Sequence, residues 1–411
     1  MNAHIITIGD EILVGQTVDT NSTHIAKELN SIGIAVSEMQ SIKDEALHII
    51  NSLKSALLTN ELVIITGGLG PTNDDITKNV LTNFFNDELI MYPKVLAKVQ
   101  DFFIRFNKPF LEVNKLQAML PKNADIIIND LGTASGMWFT QGGKIVISLP
   151  GVPYEMKGLM KKVISKLRSD FNLGSLFHKT ILLQGIGESY LANDLEEWES
   201  EIRAKGITVS YLPSIGTVKI RLTGNVDDKT YILDQLNRIE KQYPKEFFGY
   251  NDDRLECVIG ELLKAKQKTL GTVESCTAGA LSSRITSVPG SSAYFKGAIV
   301  SYANEIKTNL VEVDSQNIEQ FGAVSKAVVE QMAMNGLKKL NVDYCVATSG
   351  IAGPDGGTKE KPVGTIWICV ATNDAVYSKM FNFGHSRVNN IESTVVYAMN
   401  YLRRMMLNLL E

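Results

Sequence analysis

Short apolar runs alternate with longer amphipathic stretches along the first 165 residues of the chain. The runs HIITIG (4–9) and ELVIITGG (61–68) have the pattern of strands, whereas DTNSTHIAKELNSIG (19–33) and DEALHIINSLKSALL (44–58) place apolar residues at helical spacing. Strands that alternate with helices indicate a mostly parallel sheet with helices on both faces. We therefore predict an α/β domain over residues 1–170.

Two further blocks follow. Between residues 175 and 249 the pattern is strand, helix, strand, strand, helix, which is typical of a small α+β domain, and QYPKEFFGYNDD (242–253) has the composition of a linker. From residue 252 to 411, strands such as TLGTVES (269–275) and DYCVATSG (343–350) alternate with helical stretches. This last block predicts a third domain, of the α/β class.

Charge and cysteine content narrow the class of protein. The net charge is -4, so no bulk basic field attracts nucleic acid. The four cysteines are widely spaced and form no C-x-x-C pair, which argues against a disulfide framework and against a structural zinc site. No apolar run approaches the roughly 20 residues that span a bilayer, and the amino terminus leads directly into a strand. We therefore expect a cytoplasmic protein without a membrane partner.

The turn TGGLGPTNDDITK (66–78) follows a buried strand and opens a helix. Its glycines let the backbone approach an anion and the threonine after them can donate its hydroxyl, which singles out Gly67, Gly68, Gly70 and Thr72. Asp74 and Asp75 would repel a phosphate unless a divalent cation lay between them, so they are candidate metal ligands. The alternative is that both carboxylates only cap the helix, where its dipole favours them.

Three other polar turns are expected at the same edge of this sheet, because turns after successive parallel strands converge. They are GDEILVGQTVDTN (9–21), GTASGMW (132–138) and LPGVPYEM (149–156). The residues expected to contact a ligand there are Asp10, Asn21, Gly151 and Glu155. The convergence predicts a phosphate-bearing ligand, held with the help of a metal ion.

A hydroxyl-rich turn in the third block is the second candidate site. In TVESCTAGALSSR (272–284), Ser275 to Thr277 follow a predicted strand and precede a predicted helix. Such a turn presents a side chain beside backbone N–H groups, as a nucleophile with an oxyanion site requires. The alternative is that these Ser, Thr and Glu side chains only cap the helix.

A nucleophilic serine needs a base, and residues 252–411 contain one histidine, His385. A lysine whose pKa is lowered by burial is the other option. Tyr302 and Lys307 lie five residues apart after a predicted strand, so both can reach one cleft; the alternative is that Lys307 is a solvated helix lysine. In the glycine-rich loop 348–364, the residues suited to close backbone approach to a substrate are Ser349, Gly350 and Gly353.

Several of these motifs resemble those of the CinA family. GDEILVG, TGGLGPTNDDITK and LPGVPYEM resemble its amino-terminal MoaB/MogA-like molybdopterin-binding fold. VESCTAGALSSR, PGSSAYFKGAIVSYANEIK, GAVSKAVVEQMA and TSGIAGPDGGTKEKPVGTIW resemble its carboxy-terminal nicotinamide-nucleotide amidohydrolase domain. The fold class expected is therefore α/β in three domains: a MoaB/MogA-like α/β sandwich (1–170), a small α+β KH-type domain (175–249) and an α/β amidohydrolase domain (252–411).

The resemblance implies two activities. In the first domain it implies hydrolysis of the ADP-ribose pyrophosphate with a divalent cation. In the third it implies that Ser275 attacks the carboxamide of nicotinamide mononucleotide with Lys307 as base, giving nicotinate mononucleotide and ammonia without a metal. Further catalytic and substrate-binding positions implied there are Tyr302, Thr348, Ser349, Thr277, Gly279, Gly350, Gly353 and Arg387.

The sequence departs from the family pattern at two places. Ala278 stands where the family has glycine, which should be tolerated if the backbone there is helical. GHSRVNN (384–390) replaces the usual arginine-containing motif of the family. The resemblance implies that Arg387 is the phosphate-binding arginine, although the residues around it differ from the family pattern.

The middle block bears on partners. Its GIGE segment (185–188) begins an acidic helix that should repel phosphate, so we do not expect nucleic acid as a partner and predict a spacer or a homodimer contact instead. A non-catalytic nucleotide-binding adaptor linked to competence or DNA damage, and a molybdopterin-binding protein, are the alternatives. The pairs Ser275/Lys307 and Asp74/Asp75 favour an enzyme, because a binding module needs no nucleophile and base.

Overall fold

The structure is a computed structural model. It describes residues 1–72, 75–171, 176–384 and 386–410. The predicted metal ligand Asp74 and the single histidine of the last block, His385, lie outside the described residues. The chain forms two compact units that divide between Phe177 and His178. The first unit holds the first predicted domain, and the second unit holds the other two.

The first unit is built on a mostly parallel sheet. Its strands are β1 (Asn2–Ile8), β2 (Ala35–Ile42), β3 (Leu62–Thr66), β4 (Leu89–Met91), β5 (Met119–Pro121), β6 (Asp125–Ile127), β7 (Gly136–Gln141) and β8 (Lys144–Leu149). Six of them form one sheet in the order β2-β1-β3-β8-β7-β6, while β4 and β5 form a separate antiparallel pair. The strands β2, β1, β3 and β8 are parallel, and β7 runs antiparallel to both of its neighbours.

Helices cover both faces of this sheet, as predicted. They are α1 (Asp10–Leu13), α2 (Thr20–Asn30), α3 (Ala46–Thr59), α4 (Thr77–Phe84), α5 (Pro93–Arg105), α6 (Glu112–Lys115) and α7 (Pro153–Asp170). Ile5 lies in a core with α2 and α7, whereas Ile6 lies in a core with α3, α4 and α5. The two neighbours belong to different cores because successive strand residues point to opposite faces. The four parallel strands end at one edge, where the candidate ligand turns lie.

The middle part of the chain forms a four-stranded sheet with helices. Its elements are β9 (Leu176–Gln184), α8 (Glu188–Asp194), α9 (Glu196–Ala204), β10 (Thr208–Ser214), β11 (Thr217–Asn225), α10 (Lys229–Gln242) and β12 (Phe247–Tyr250). The strand order is β10-β11-β9-β12. The prediction that 242–253 is only a linker was wrong, because the short apolar run at Phe247 pairs antiparallel with β9 and closes the sheet.

The last part of the chain forms the second α/β sheet. Its elements are α11 (Leu255–Lys266), β13 (Leu270–Glu274), α12 (Ala280–Thr286), β14 (Phe295–Val300), α13 (Asn304–Asn309), α14 (Ser315–Phe321), α15 (Lys326–Leu340), β15 (Tyr344–Gly350), β16 (Thr365–Ala371), β17 (Val376–Asn382) and α16 (Arg387–Met406). The strand order is β14-β13-β15-β16-β17, with β13 parallel to both neighbours. Residues of α15 pack on one face, and residues of α11, α12 and α16 pack on the other.

The long helix α16 also contacts the middle domain. Asn400 is hydrogen-bonded to Gln184, and Arg404 Nε donates to the carbonyl of Lys245 at 2.8 Å. The GIGE segment lies under the same helix: a Cβ added to Gly185 would be 3.5 Å from Arg404 Nη2. None of the described helices is long and apolar enough to cross a membrane.

Candidate active site

The predicted nucleophile lies where the central strand of the last sheet ends. Because β13 runs parallel between β14 and β15, its end is flanked by the ends of both neighbours. The N–H of Ser275 donates to the Thr348 carbonyl at 2.9 Å, and the N–H of Ser301 donates to the Glu274 carbonyl at 2.8 Å. Ser275 is therefore held at the sheet edge from both sides, and it is 8% exposed.

Lys307 contacts Ser275 directly. Its Nζ lies 3.0 Å from Ser275 Oγ, 2.8 Å from the Ser301 carbonyl oxygen and 3.1 Å from the Tyr302 carbonyl oxygen. Lys307 is 1% exposed, so the alternative of a solvated helix lysine is wrong. Burial lowers the pKa of Lys307, because an ammonium group loses its hydration there.

The three oxygens around Nζ can accept from all three N–H bonds of an ammonium group. Once the amine has lost a proton, two of them, the carbonyls, can only accept and take its two N–H bonds. The third is the Ser275 hydroxyl, which can donate to the remaining lone pair. This arrangement gives the serine a base in direct contact.

The turn that carries Ser275 is closed by Glu274, which the sequence reasoning treated only as a helix-capping alternative. The Glu274 carboxylate accepts from the N–H of Gly279 at 2.9 Å, of Leu281 at 3.1 Å and of Ser282 at 2.8 Å. It does cap α12, but from the preceding strand and across the nucleophile. The feature of the sequence that could have indicated this role is the position of the Glu274 carboxylate, immediately before the turn.

The condition under which Ala278 would be tolerated, a helical backbone, is not met. Ala278 has φ +48°, in the left-handed region, and Gly279 follows at φ +97°. The helix begins two residues later, at Ala280, because the chain must reverse between the end of β13 and the start of α12. An alanine stands at a position where glycine is favoured.

Cys276 and Thr277 follow Ser275 and are both buried. Burial raises the pKa of the Cys276 thiol to about 12, so it stays protonated near neutral pH. The Thr277 hydroxyl lies 2.8 Å from the Thr348 hydroxyl, which fastens the turn to β15. Ser349 donates its hydroxyl to the Ala323 carbonyl at 2.7 Å, an interaction that holds the cleft wall.

A cleft of about 230 Å³ opens over Ser275 and Lys307. Arg387 lies in its wall and donates to the Gly353 carbonyl at 2.7 Å and to the Tyr302 hydroxyl at 3.0 Å. Tyr302 and Arg387 thus line the same cleft as Ser275, as predicted. Asn304 also lines the cleft, and the sequence reasoning did not single it out.

The glycines of the loop after β15 serve the fold as well as the cleft. A Cβ at Gly350 would lie 3.0 Å from Ile366 Cα, so the close approach there is to the neighbouring strand. Gly353 has φ +87°, and a Cβ there would lie 2.5 Å from the Val363 side chain. Gly350 lines the cleft, and Gly353 lies in the loop beside it. Both are needed as glycines because neighbouring residues pack closely against their backbone.

Part of the predicted phosphate site in the first unit is assembled. Asn21 Nδ2 donates to the Gly151 carbonyl at 2.7 Å and to Thr66 Oγ1 at 3.2 Å, joining three of the predicted turns. Gly67 and Gly68 have φ +114° and +65°, and Gly67 lies against Gly151. Asn21 Oδ1 is buried without a hydrogen-bond partner among the described residues. The turns therefore converge, and among the described residues Asn21 Oδ1 remains a buried acceptor without a donor.

Of the two predicted metal ligands, Asp75 lies within the described residues. Asp75 accepts from the N–H of Thr72 at 2.9 Å and from its hydroxyl, and a Cβ at Gly70 would lie 2.4 Å from the same carboxylate. Within the described ranges no group of three or more His, Cys, Asp or Glu side chains could hold a metal ion. Because Asp74 lies outside the described residues, the metal stays a prediction.

Two predicted residues of this edge have other partners. Asp10 is exposed and begins the one-turn helix α1. Glu155 accepts from Asn129 Nδ2 at 2.6 Å, and burial raises the pKa of Glu155. Asn129, 26 residues earlier in the chain, gave no signal in the sequence.

The fold and the site define a three-domain α/β protein whose last sheet presents a serine beside a buried, desolvated lysine. Three family descriptions match successive parts of the chain: "Probable molybdopterin binding domain" over residues 4–169, "Damage-inducible protein CinA KH domain" over 178–250 and "CinA C-terminal domain" over 252–406. The chain belongs to the CinA family. The MoaB/MogA-like, KH-type and CinA carboxy-terminal domains predicted from the motifs are thereby confirmed.

Relatives match over the whole length. CinA-like proteins from Flavobacterium psychrophilum and Cytophaga hutchinsonii are 45% and 43% identical, and each alignment covers 98% of this chain and at least 98% of the relative. A crystal structure of "the protein CinA with unknown function" from Thermoplasma acidophilum is 35% identical, covers 40% of this chain and 97% of its own, and has a TM-score of 0.37.

Proposed function

We propose that the last domain is a serine–lysine amidohydrolase that converts nicotinamide mononucleotide into nicotinate mononucleotide and ammonia. The observation that carries the reaction class is the buried Lys307 side chain, whose Nζ lies 3.0 Å from Ser275 Oγ and within hydrogen-bond distance of the Ser301 and Tyr302 carbonyls. The substrate rests on the likeness of the motifs to the nicotinamide-nucleotide amidohydrolases.

In the proposed reaction, Lys307 takes the Ser275 proton as Oγ attacks the carboxamide carbon. The tetrahedral intermediate collapses when the Lys307 ammonium returns the proton to the departing nitrogen, which releases ammonia and leaves an ester on Ser275. Lys307 then deprotonates a water molecule that attacks the ester. The second intermediate breaks down when the Lys307 ammonium returns its proton to Ser275 Oγ, which regenerates the hydroxyl and releases the carboxylic acid, and the acid then loses its proton to water.

The negative oxygen of each intermediate needs hydrogen-bond donors. The backbone N–H groups of Cys276 and Thr277 are the candidates, since they follow the nucleophile, and within the described residues neither donates to a protein oxygen. Neighbouring N–H groups are already used: that of Ser275 by Thr348 and that of Ala278 by the Ser275 carbonyl.

Arg387 is proposed to bind the substrate phosphate. Its guanidinium is fixed in the cleft wall by Gly353 and Tyr302, which accept from two of its nitrogens. A guanidinium held in place by neutral partners keeps its positive charge available to an anion. The phosphate end of a mononucleotide would then lie toward Arg387 and the carboxamide toward Ser275.

The test is ammonia release from nicotinamide mononucleotide by the full-length protein. Ser275→Ala is expected to lower turnover by at least ~10³-fold, because it removes a covalent nucleophile. Cys276→Ala is the matched control, one residue along the same turn. An active Ser275→Ala variant together with an inactive Cys276→Ala variant would show that the nucleophile is misassigned.

For the first domain we propose hydrolysis of the ADP-ribose pyrophosphate, dependent on an added divalent cation. Support comes from the convergence of Asn21, Thr66, Gly67 and Gly151, which offers close backbone approach. The buried Asn21 Oδ1, which has no hydrogen-bond partner among the described residues, and Asp75 in the adjoining turn add to it. AMP formation should stop in Asp75→Ala and in a chelator. Asp10→Ala, at the exposed start of α1, tests whether that residue also contributes. Undiminished hydrolysis in the chelator would exclude the cation.

A further inference from the structure

Glu274 precedes the nucleophile and is fully buried, yet the proposed reaction does not use it. Its side chain is 0% exposed, and both carboxylate oxygens are engaged. Oε2 accepts from the N–H of Gly279 and Leu281, while Oε1 accepts from the N–H of Ser282 and, at 3.3 Å, from the Thr272 hydroxyl. Among the hydrogen bonds and ion pairs of the described residues, none joins Glu274 to a lysine or an arginine.

The carboxylate closes a loop around the nucleophile. The backbone of Glu274 ends β13, and the side chain of Glu274 accepts from N–H groups five to eight residues later, at the start of α12. The enclosed segment runs from Ser275 to Ala278, and the Ala278 N–H returns to the Ser275 carbonyl at 3.1 Å. Since Ala278 holds an unfavoured left-handed φ, the turn needs an external interaction to keep its shape.

A carboxylate fits this position better than an amide does. All four groups around it are donors, and an ionised carboxylate is an acceptor at both oxygens. Its negative charge is compensated by backbone N–H groups and by the partial positive charge at the helix start. A glutamine would have to turn its NH2 group toward at least one N–H donor.

We propose that Glu274 is a positioning residue, which holds the Ser275 hydroxyl in line with Lys307 by clamping the turn through the N–H groups of Gly279, Leu281 and Ser282. The inference rests on the proposed function only in that Ser275 is the nucleophile; it does not depend on which amide is the substrate. A displacement of the hydroxyl by about 1 Å is enough to lower a reaction rate by about 100-fold.

The experiment compares Glu274→Gln with two control variants of the full-length protein. Glu256→Gln changes another buried glutamate of the same domain, one that pairs with Arg254 at the start of α11. Thr272→Val removes the long hydroxyl contact to Glu274 and leaves the three N–H contacts intact. Two rates are measured: turnover of nicotinamide mononucleotide, and covalent labelling of Ser275 by a fluorophosphonate, followed by intact mass.

Glu274→Gln is expected to lower kcat and the labelling rate constant together, by about 10- to 100-fold, with KM changed by less than about threefold. Both controls should stay within about threefold of wild type in all of these quantities. Glu274→Asp keeps the charge but is one methylene shorter, so it should give an intermediate loss. If Glu274→Gln does not fold, the same three quantities, kcat, the labelling rate constant and KM, are compared between Glu274→Asp and wild type.

The outcomes separate the two proposals. If wild type labels at Ser275 and Glu274→Gln slows the labelling, but no ammonia forms from nicotinamide mononucleotide, the substrate assignment fails and the positioning role stands. If wild type releases ammonia and the Glu274 variants match its kcat and labelling rate, the positioning role is refuted. It is also refuted if the variants lose only the fraction of protein that labels, with an unchanged rate constant, because that result reports stability alone.

Discussion

Replacing Ala278 with glycine is expected to stabilise the second compact unit. At φ +48° an L-residue with a Cβ is strained by about 1–2 kcal/mol, a cost that glycine avoids. Glycine in turn loses more backbone freedom on folding, which offsets about 0.4–1 kcal/mol of the gain. Ala278 is exposed, so deletion of its methyl group gives up no buried apolar surface. The net expectation is a gain of about 0.5–1 kcal/mol in the free energy of unfolding.

The assay is thermal or urea unfolding, followed by a probe in the second unit. A gain of this size corresponds to a rise in Tm of about 1–4 °C for a unit of 150–250 residues. Ala265→Gly is the matched control, because Ala265 is also exposed but lies within α11, where the same substitution should cost about 0.5–1 kcal/mol. The two substitutions should therefore shift Tm in opposite directions. A loss of stability in Ala278→Gly equal to that in Ala265→Gly would refute the left-handed assignment.

Further predictions concern three residues of the cleft. Burial lowers the pKa of Lys307 in the folded protein, so at pH values between the folded and unfolded pKa the unfolded chain binds more protons than the folded chain. The free energy of unfolding of wild type should therefore rise with pH across that window, relative to that of Lys307→Met. Urea titrations at several pH values measure this difference. Lys307→Met should also lose about 10²- to 10⁴-fold in turnover, and wild-type kcat/KM should rise with pH through the folded pKa. Because burial raises the pKa of Cys276 to about 12, iodoacetamide near neutral pH should leave the proposed turnover unchanged. Rapid loss of turnover with alkylation of Cys276 would contradict the burial of this thiol. Arg387→Ala should raise KM for nicotinamide mononucleotide by about 10- to 100-fold and leave nicotinamide riboside, which lacks the phosphate, unaffected; equal losses on both would remove the phosphate role.

Local pattern was enough to predict much of the last sheet. The strand at β13, the turn after it and the long helix α15 follow from runs of apolar residues and from a hydroxyl-rich junction, which depend on neighbours within a few positions. The short strand β12 was missed because its four residues lie among proline, glycine and asparagine, and its pairing partner β9 is more than 60 residues away.

Residue types indicate which chemistry is available, and contacts in the folded chain indicate which side chains are placed to take part in it. The sequence by itself determined the order of the three domains, the serine-bearing turn and a lysine at a distance along the chain from which it could reach that turn. Only the tertiary structure decided that Lys307 is buried, because its environment is made by Ser275 and by the backbone at the end of β14. The same holds for Glu274, whose role depends on the direction in which the chain reverses after β13. A side chain's charge and reactivity are set by its neighbours in space, and those neighbours come from segments that pattern alone does not bring together.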